Sequence, residues 1–394
     1  MTLATGRHYL AIPGPSVLPE RVLRAMQRPS PPIHGGPLHD MMPGLLSDLK
    51  DLAGTRHDVA IYIANGHGAW EASLSNIISP GDHVLVPRSG HFSDGWAEMA
   101  AALGARINTI DAGANRPFDP EAVARAIEDD TDHLIKAVLA VQVDTSTSVR
   151  NDIQALGQAM AATGHPALLM VDSIACFACD RLEMDAWGVD VMVTASQKGL
   201  MCPPGLGFVF FNDRAARARE AARATTHYWD WRRRVAPEGF YQYFDGTAPT
   251  HHLFALREAL TMIGEEGREA IWRRHEILTR AIWAAVERWG EGGPLRLNIE
   301  DASHRSHAVT TVITGGDLAG RLCEWCEDKA GLTLGIGLGF EPMEQAFRIG
   351  HMGFVNAHMI LGLIATIEAG LRATGIDHAP GGIDAATRLI AERA

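Results

Sequence analysis

The segments ALLMVDSIA (residues 167–175) and VMVTASQKGL (residues 191–200) decide the fold of this chain, because each is an apolar run that ends on polar residues. The first run ends at Asp172 and the second leads to Lys198, and no other lysine lies between residues 165 and 200. Short apolar runs of this kind are typical of buried strands in a parallel sheet. The carboxyl ends of such strands open into the crevice where α/β proteins bind ligands. We therefore expect an acid and a lysine to meet at a ligand site.

An acid and a lysine at neighbouring strand ends match the needs of one cofactor. Pyridoxal 5′-phosphate requires a lysine for its Schiff base and an acid to pair with its pyridinium nitrogen. The apolar residues before Lys198 predict a buried ammonium group with a depressed pKa, which suits this chemistry. Taken alone, Asp172 is better interpreted as a helix cap or a structural ion pair. Together the two residues make pyridoxal phosphate the hypothesis to test along the chain.

Apolar runs alternate with helical patterns through the first two thirds of the chain. The predicted strands are residues 59–63, 83–86, 106–110, 134–143, 167–172, 191–195 and 207–211, and the predicted helices between them are 69–78, 93–103, 120–128 and 151–163. Strands that alternate with helices predict an α/β fold in which helices wrap a mostly parallel, seven-stranded sheet.

The pattern changes near residue 251. Long helices are predicted over 252–265 and 269–289, short strands near 295–299 and 309–313, and helices over 317–330 and, last, 354–373. We therefore predict a large domain over residues 19–250 and a smaller C-terminal α+β domain over residues 251–394. Residues 8–37 are Pro- and Gly-rich and are predicted as loop with one short helix, and residues 1–18 are expected to line the site.

Composition excludes several classes of protein. The formal net charge of −12 argues against a nucleic-acid or anionic-membrane surface, since either would need a basic face. No apolar run approaches the roughly 20 residues that span a bilayer. The N-terminal residues lack the apolar core of a secretory signal. We expect a soluble, cytoplasmic protein that binds neither nucleic acid nor membrane.

The cysteines form two C-x-x-C pairs, 176/179 and 323/326, with Cys202 left over. Such pairs can build a zinc site, but these two lie far apart in the chain, and the second falls in a helical pattern. Buried, reduced thiols are the better interpretation, so no bound metal is predicted. Cys202 is close to Lys198 in sequence, so its thiol is expected near the site.

A second group of site candidates follows the first strand of the series. Asn65-Gly66-His67-Gly68 stands where a strand becomes a helix, and unpaired backbone N–H groups at a helix start attract phosphate. Such turns are common, so this one indicates a phosphate site only in combination with Lys198 and Asp172. Phe92 lies on a loop after the next strand, where an aromatic ring is either ordinary core or stacked on a ligand.

Longer motifs resemble one family. The runs DSIA (172–175), WGVD (187–190), SQKGL (196–200) and PPG (203–205) are similar to those of the class V aminotransferases of fold type I. PGPS (13–16), GHGAWEA (66–72), SPGD (79–82), GHF (90–92) and FRIGH (347–351) also match, in the family's order, over roughly residues 8–372. The serine–glyoxylate and alanine–glyoxylate branch is the most similar. The resemblance implies the aspartate-aminotransferase-like fold, pyridoxal 5′-phosphate as cofactor, and a homodimer whose active sites lie at the subunit interface.

The resemblance also implies roles for cofactor-binding residues. Lys198 would be the catalytic Schiff-base lysine and the acid/base of the proton shift, and Asp172 would pair with the pyridinium nitrogen. Phe92 and Ile174 would pack on opposite ring faces, and Thr145 would hydrogen-bond the ring hydroxyl. The phosphate would contact a further set: Asn65, Gly66, His67, Gln197 and Thr247, the last supplied by the partner subunit.

Substrate binding is implied for three more residues. Arg348 would clamp the substrate carboxylate with a two-pronged hydrogen bond, for which a guanidinium is suited. Gly14 and Pro15 would line the substrate pocket. The implied reaction is a ping-pong transfer of an amino group from a small L-amino acid, serine or alanine, to a small 2-oxo acid, glyoxylate or pyruvate.

Four rival functions stay open. A pyridoxamine–pyruvate aminotransferase resembles the chain over the same length, but it carries an acid in the phosphate turn where this chain has Asn65. An aspartate–glyoxylate type of aminotransferase would use the same scaffold. A desulfurase or lyase of class V would need a reactive cysteine on a mobile loop. A cofactor-binding regulatory protein without catalysis is disfavoured by the joint presence of Lys198, Asp172 and Arg348.

Four positions depart from the family's pattern. Asn65 stands where Ser or Thr is usual, and Gly35 where many relatives carry Arg. Ser148 replaces a glycine, and Phe244 replaces a tyrosine. The four positions are expected around the pocket mouth and the subunit interface, where the choice of amino donor is made.

Overall fold

The computed structural model describes residues 2–113 and 115–393. Its strands are β1 (Tyr9–Ala11), β2 (Asp58–Ala64), β3 (His83–Arg88), β4 (Arg106–Asp111), β5 (Ile135–Val141), β6 (Leu168–Asp172), β7 (Val191–Ala195), β8 (Gly205–Phe211), β9 (Arg296–Leu297), β10 (Val309–Ile313), β11 (Leu332–Ile336) and β12 (Ala346–Gly350).

The helices bracket these strands. They are α1 (Glu20–Met26), α2 (Pro37–Ala53), α3 (Gly66–Ser75), α4 (His91–Ala102), α5 (Pro120–Glu128), α6 (Ile153–Thr163), α7 (Asp213–Ala221), α8 (Trp231–Val235), α9 (Thr250–Glu266), α10 (Arg268–Gly290), α11 (Leu318–Ala330), α12 (Ala357–Thr374) and α13 (Gly382–Arg393). Short 3₁₀ turns occur at Phe240–Tyr243, Ala302–His304 and Met343–Gln345.

The larger sheet has seven strands in the order β2-β8-β7-β6-β5-β3-β4. All neighbours pair in parallel except β8, which runs antiparallel to both β2 and β7. The predicted seven-stranded, mostly parallel sheet is therefore confirmed. In register, Asp172 at the end of β6 lies opposite Val141 of β5 and Val193 of β7. The carboxyl ends of three central strands thus meet at one edge, where a ligand crevice is expected.

Both faces of this sheet are covered, which explains its continuous apolar strands. Leu169 and Val171 of β6 pack into one core with α2, α5, α6 and α9, while Leu168 and Met170 pack into the other with α3, α4, α7 and α8. Because successive side chains of a strand point to opposite faces, a strand buried on both sides must be apolar throughout. The polar residues that follow β6 and β7 mark the end of that burial.

The smaller sheet has the order β1-β11-β12-β10-β9, and only β1 and β11 pair in parallel. Helices α10–α13 cover it with a separate apolar core that includes Ala11 of β1. The prediction of loop at residues 9–11 was wrong, because these residues form β1. Tyr9 of this strand pairs with Leu332, which is far away in sequence, so no local sequence pattern indicates the strand. β11, β12 and α13 were also not predicted, whereas the long helix predicted over 354–373 is present as α12.

Two further findings bear on function. Within the described residues, no helix is both long enough and apolar enough to cross a membrane. Over the same residues, no group of three or more His, Cys, Asp or Glu side chains is placed to hold a metal ion. All five cysteines are free thiols; four are buried, and Cys323 is half-buried on α11.

Candidate active site

Asp172 and Lys198 face a cavity of about 260 Å³ at the carboxyl edge of the large sheet. Every residue expected to bind the cofactor lines this cavity except Thr247. The lining residues are Asn65, Gly66, His67, Trp70, Phe92, Val143, Thr145, Asp172, Ile174, Ala175, Gln197 and Lys198. Segments that are far apart in sequence, from β2 to β7, therefore converge on one pocket.

Lys198 lies in the turn after β7, beneath the N-terminal segment. Its Nζ donates to the carbonyl oxygen of Pro13, and a Cβ on Gly14 would lie only 2.6 Å from that Nζ. Ser16 fixes the backbone of the same turn, since its Oγ donates to the carbonyl oxygen of Lys198 at 2.7 Å. Burial, together with the charge of Arg348, lowers the pKa of Lys198 to about 8. A substantial fraction of the amine is therefore uncharged, and nucleophilic, near neutral pH.

Asp172 is held by two donors, one on each carboxylate oxygen. Its Oδ1 accepts from the Ile174 backbone N–H at 2.7 Å, and its Oδ2 accepts from Trp70 Nε1 at 2.9 Å. Burial nevertheless raises the pKa of Asp172 to about 7, and the nearby charge of Asp144 acts in the same direction. Keeping a buried carboxylate charged costs free energy unless a cation pairs with it.

The raised pKa of Asp172 predicts how the stability of the cofactor-free protein depends on pH. In the folded state the group binds its proton more tightly than in the unfolded chain, so stability is lost as the pH rises from about 4 to about 7. Between pH 5 and pH 8 the free energy of unfolding of the wild type should fall by about 2–3 kcal/mol relative to Asp172→Asn. Denaturant unfolding at the two pH values measures it. The exposed Asp132→Asn serves as control, and identical pH profiles for wild type and Asp172→Asn would contradict the expectation.

The turn between β2 and α3 offers an anion site. Asn65 caps α3, because its Oδ1 accepts from the Gly68 N–H at 3.1 Å. Among the described residues, the N–H groups of Gly66 and His67 have no acceptor, so they can bind an anion at the positive end of the helix dipole. Burial is the main cause that lowers the pKa of His67, which favours the neutral imidazole. Gln197 adds an amide whose Oε1 is buried and has no partner within the described part of the chain.

Phe92, Ile174 and Thr145 complete the walls of the cavity. A Cβ on Gly66 would lie 2.7 Å from Ile174 Cδ1, so the helix start and this side chain are in close contact. The backbone around Phe92 and Thr145 is held by Asp144, which is fully buried. Asp144 Oδ2 accepts from the Phe92 N–H at 2.9 Å, and its Oδ1 accepts from the Ser146 N–H at 2.9 Å.

Arg348 approaches from β12 of the smaller sheet. Its Nε donates to the carbonyl oxygen of Ile336 at 2.7 Å and its Nη1 to that of Thr145 at 3.0 Å. Burial lowers the pKa of Arg348 to about 10, while the charge of Asp144 opposes the shift. Among the described residues, no carboxylate lies within ion-pair distance of this guanidinium. A buried guanidinium without a carboxylate partner can bind a ligand anion.

Five of the sequence-predicted positions are not among the residues that line the cavity. Arg348 and Gly14 are next to it, through contacts with Thr145 and Lys198. Thr247 is exposed in the segment before α9. Pro15 lines a different cavity, next to Tyr9 and Phe354. Cys202 is fully buried and is not among the residues that line the cavity.

Two of the departures from the family's pattern have a structural account. Ser148 has a φ of 60°, a left-handed conformation that glycine adopts without strain. Its Oγ accepts from the Thr311 N–H at 3.1 Å, a bond that a glycine could not make. Phe244 is fully buried beside Phe240 and Tyr243. Nothing in the structure explains Gly35.

Sequence reasoning gave no role to Trp70 and Asp144. Trp70 stands within GHGAWEA, one of the motifs that match the family, and that motif was the available signal. The functions of both residues depend on contacts with Asp172 and Phe92, which lie far away in sequence. Val143 and Ala175 also line the cavity without having been predicted.

The fold and the cavity define a class of protein: an α/β protein with a buried lysine of lowered pKa, a buried acid, a helix start with N–H groups that have no acceptor among the described residues, and a buried arginine beside them. The chain belongs to the class-V aminotransferase family, because the family model Aminotransferase class-V matches residues 8–320. The family and enzyme class inferred from the motifs are therefore confirmed.

Particular relatives extend over nearly the full length. The serine–glyoxylate aminotransferase of Methylorubrum extorquens is 35% identical and covers 99% of this chain and 98% of its own. The L-aspartate–glyoxylate aminotransferase of Paracoccus denitrificans is 32% identical and covers 94% and 93%. The crystal structure of the pyridoxamine–pyruvate aminotransferase of Mesorhizobium loti has a TM-score of 0.90, with 100% of both chains covered and 24% identity, a likeness that shows the fold alone.

Proposed function

We propose that this protein is a pyridoxal-5′-phosphate-dependent transaminase that moves an amino group from a small L-amino acid to a small 2-oxo acid. The observation that carries the proposal is the arrangement of Lys198 and Asp172 around one cavity, with the guanidinium of Arg348 bonded to the backbone of Thr145, which lines the same cavity. A lysine with a lowered pKa, an acid with a raised pKa and a guanidinium without a carboxylate partner are each unfavourable in an apo protein. One phosphorylated pyridine aldehyde and one amino acid would satisfy all three.

The residues present fit this cofactor. Its phosphate would be held by the N–H groups of Gly66 and His67 and by the Nε2 amide group of Gln197, which would donate to it. Its ring nitrogen would meet Asp172, whose two oxygens each keep a lone pair after accepting one hydrogen bond. Phe92 and Ile174 would enclose the ring, and Thr145 would meet its hydroxyl.

When bound, pyridoxal phosphate supplies an aldehyde and an electron-accepting ring, so an amino group can be taken from one substrate and given to the next. Lys198 would bind the aldehyde carbon at rest and, once released, carry the proton from the substrate's α-carbon at its Nζ. Its pKa near 8 lets the amine both accept and return that proton at neutral pH. Arg348 would orient the substrate through its carboxylate. Asp172 would keep a negative charge against the ring nitrogen.

Serine and alanine are the proposed donors, and glyoxylate and pyruvate the proposed acceptors. Arg348 provides for one carboxylate. The basic groups among the lining residues of the described chain are Lys198 and His67, and the lowered pKa of His67 favours its neutral form. An aspartate donor carries a second carboxylate, for which this arrangement offers no cation. Serine–glyoxylate activity in a 35% identical relative supports the same choice.

We also propose a cytoplasmic homodimer in which Thr247 of the partner subunit reaches the phosphate. Two features support this assembly. Asn65 and His67 are exposed although they border the cavity, and Thr247 is exposed away from it in its own chain. A second copy that covers the phosphate turn would bury all three residues.

Spectral half-reactions test the proposed function. The purified protein with pyridoxal phosphate should lose its absorbance at the visible edge when L-serine or L-alanine is added, and glyoxylate or pyruvate should restore it. L-aspartate should act at least tenfold more slowly, because its second carboxylate is unmatched. Turnover with pyridoxamine and pyruvate, but with none of the amino acids, would establish the pyridoxamine rival instead. The absence of any half-reaction would contradict the proposal.

A further inference from the structure

Trp70 occupies an unusual place in the site. It lies on α3, four residues after Gly66, and is almost fully buried, with 1% of its surface exposed. One short helix therefore carries both the anion-binding turn, at its first residues, and the indole that contacts Asp172, about one turn later. The distance between these two functions is set by the backbone of a single rigid element.

The indole is fixed on several sides. Its ring stacks on Trp96 with centroids 6.0 Å apart, and it meets Phe92 edge to face at 6.2 Å. His67 contacts it edge to face at 4.7 Å. These contacts direct Nε1 to Asp172 Oδ2, 2.9 Å away. The orientation of the N–H is thus determined before any ligand arrives.

Asp172 requires such a donor. Burial and the charge of Asp144 both disfavour its ionised form. The charge of Lys198 and two hydrogen bonds, from Ile174 and Trp70, favour the ionised form. The Ile174 bond is short-range, two residues along the backbone, so Trp70 is the donor that comes from a separate element.

We propose that Trp70 is a positioning residue that holds Asp172 as an oriented carboxylate for the ring nitrogen of the cofactor. The inference rests on the proposed function and adds to it. Because the N–H occupies one lone pair of Oδ2, it fixes the carboxylate plane and leaves the remaining lone pairs directed into the cavity. Trp70 thereby acts on the cofactor through Asp172.

The chain contains a matched control. Trp96 is fully buried and stacked on Trp70, but its Nε1 has no hydrogen-bond partner within the described residues. Trp70→Phe and Trp96→Phe therefore make the same change of side chain in the same aromatic cluster, and only the first removes a donor from Asp172.

The experiment is a double-mutant cycle on the affinity of the cofactor-free protein for pyridoxal phosphate. A hydrogen bond to a charged group predicts that Trp70→Phe raises Kd about 10- to 100-fold, while Trp96→Phe changes it less than about twofold. In an Asp172→Asn background the effect of Trp70→Phe should shrink to less than about threefold, because its target is gone. Equal effects of the two tryptophan variants, or an undiminished effect in the Asp172→Asn background, would overturn the proposal. A wild-type protein that binds no pyridoxal phosphate would instead contradict the proposed function.

A second measurement uses folded proteins only, in case Trp70→Phe does not fold. In the cofactor-free wild type, one of the nine indole N–H resonances should titrate with Asp172, and this titration should vanish in Asp172→Asn. His67 also contacts the indole, so a titration that persists in Asp172→Asn belongs to His67 and counts against the proposal.

Discussion

Lys198→Ala is expected to abolish transamination, with kcat reduced by at least about 10³-fold. The variant loses both the covalent anchor of the cofactor and the group that carries the proton. Phe92, Ile174 and the phosphate turn remain, so pyridoxal phosphate should still bind, but without the absorbance at the visible edge. Because burial already disfavours the charged ammonium of Lys198, its removal should not destabilise the fold. Steady-state kinetics, the absorption spectrum and thermal unfolding separate these effects.

The exposed Lys329→Ala is the matched control and should behave as wild type in all three measurements. A Lys198→Ala protein that turns over at the wild-type rate would remove the lysine from the mechanism. Loss of activity together with loss of folding would leave the catalytic role of Lys198 without support from this variant.

Arg348→Lys is expected to lower kcat/KM for the amino donor by about 10²- to 10³-fold, mainly through KM. The guanidinium can give a carboxylate two parallel hydrogen bonds, whereas the ammonium of lysine acts as a point charge. Each charge-assisted bond contributes about 1.5–3 kcal/mol, and the shorter side chain would also lose its bonds to Ile336 and Thr145.

The control for this variant is Arg296→Lys, on the exposed end of the same sheet, which should leave the kinetics unchanged. Pyridoxal phosphate affinity provides a second comparison, because Arg348 is proposed to bind substrate and not cofactor. An Arg348→Lys protein with unchanged KM for serine and alanine would show that another group binds the carboxylate.

The large sheet and the centre of the site could be predicted because their signals are local. β6 and β7 are apolar runs that end in charged or polar residues. A strand that is buried on both faces needs such a continuous apolar sequence. Asp172 and Lys198 follow directly from this pattern. The boundaries of β7 and α5 agree with the predicted ranges.

What could not be predicted depends on contacts between distant segments. β1 is only three residues long and exists because Leu332–Leu334 lies beside it. Arg348 was placed by its motif, but its strand was not predicted, since AFRIG is a short run without a strict alternation. The contacts of Asp144 with Phe92 and of Trp70 with Asp172 join segments that are far apart in sequence. The role proposed for Thr247 requires a second chain.

The attachment of the cofactor to Lys198 is the central claim, and one measurement tests it most directly. The protein is incubated with pyridoxal phosphate, reduced with borohydride, digested, and the peptide that carries the cofactor is identified by mass spectrometry. We predict a single modified peptide, with the reduced cofactor on Lys198. A modification on another lysine, or no modification in a protein that still transaminates, would contradict the account.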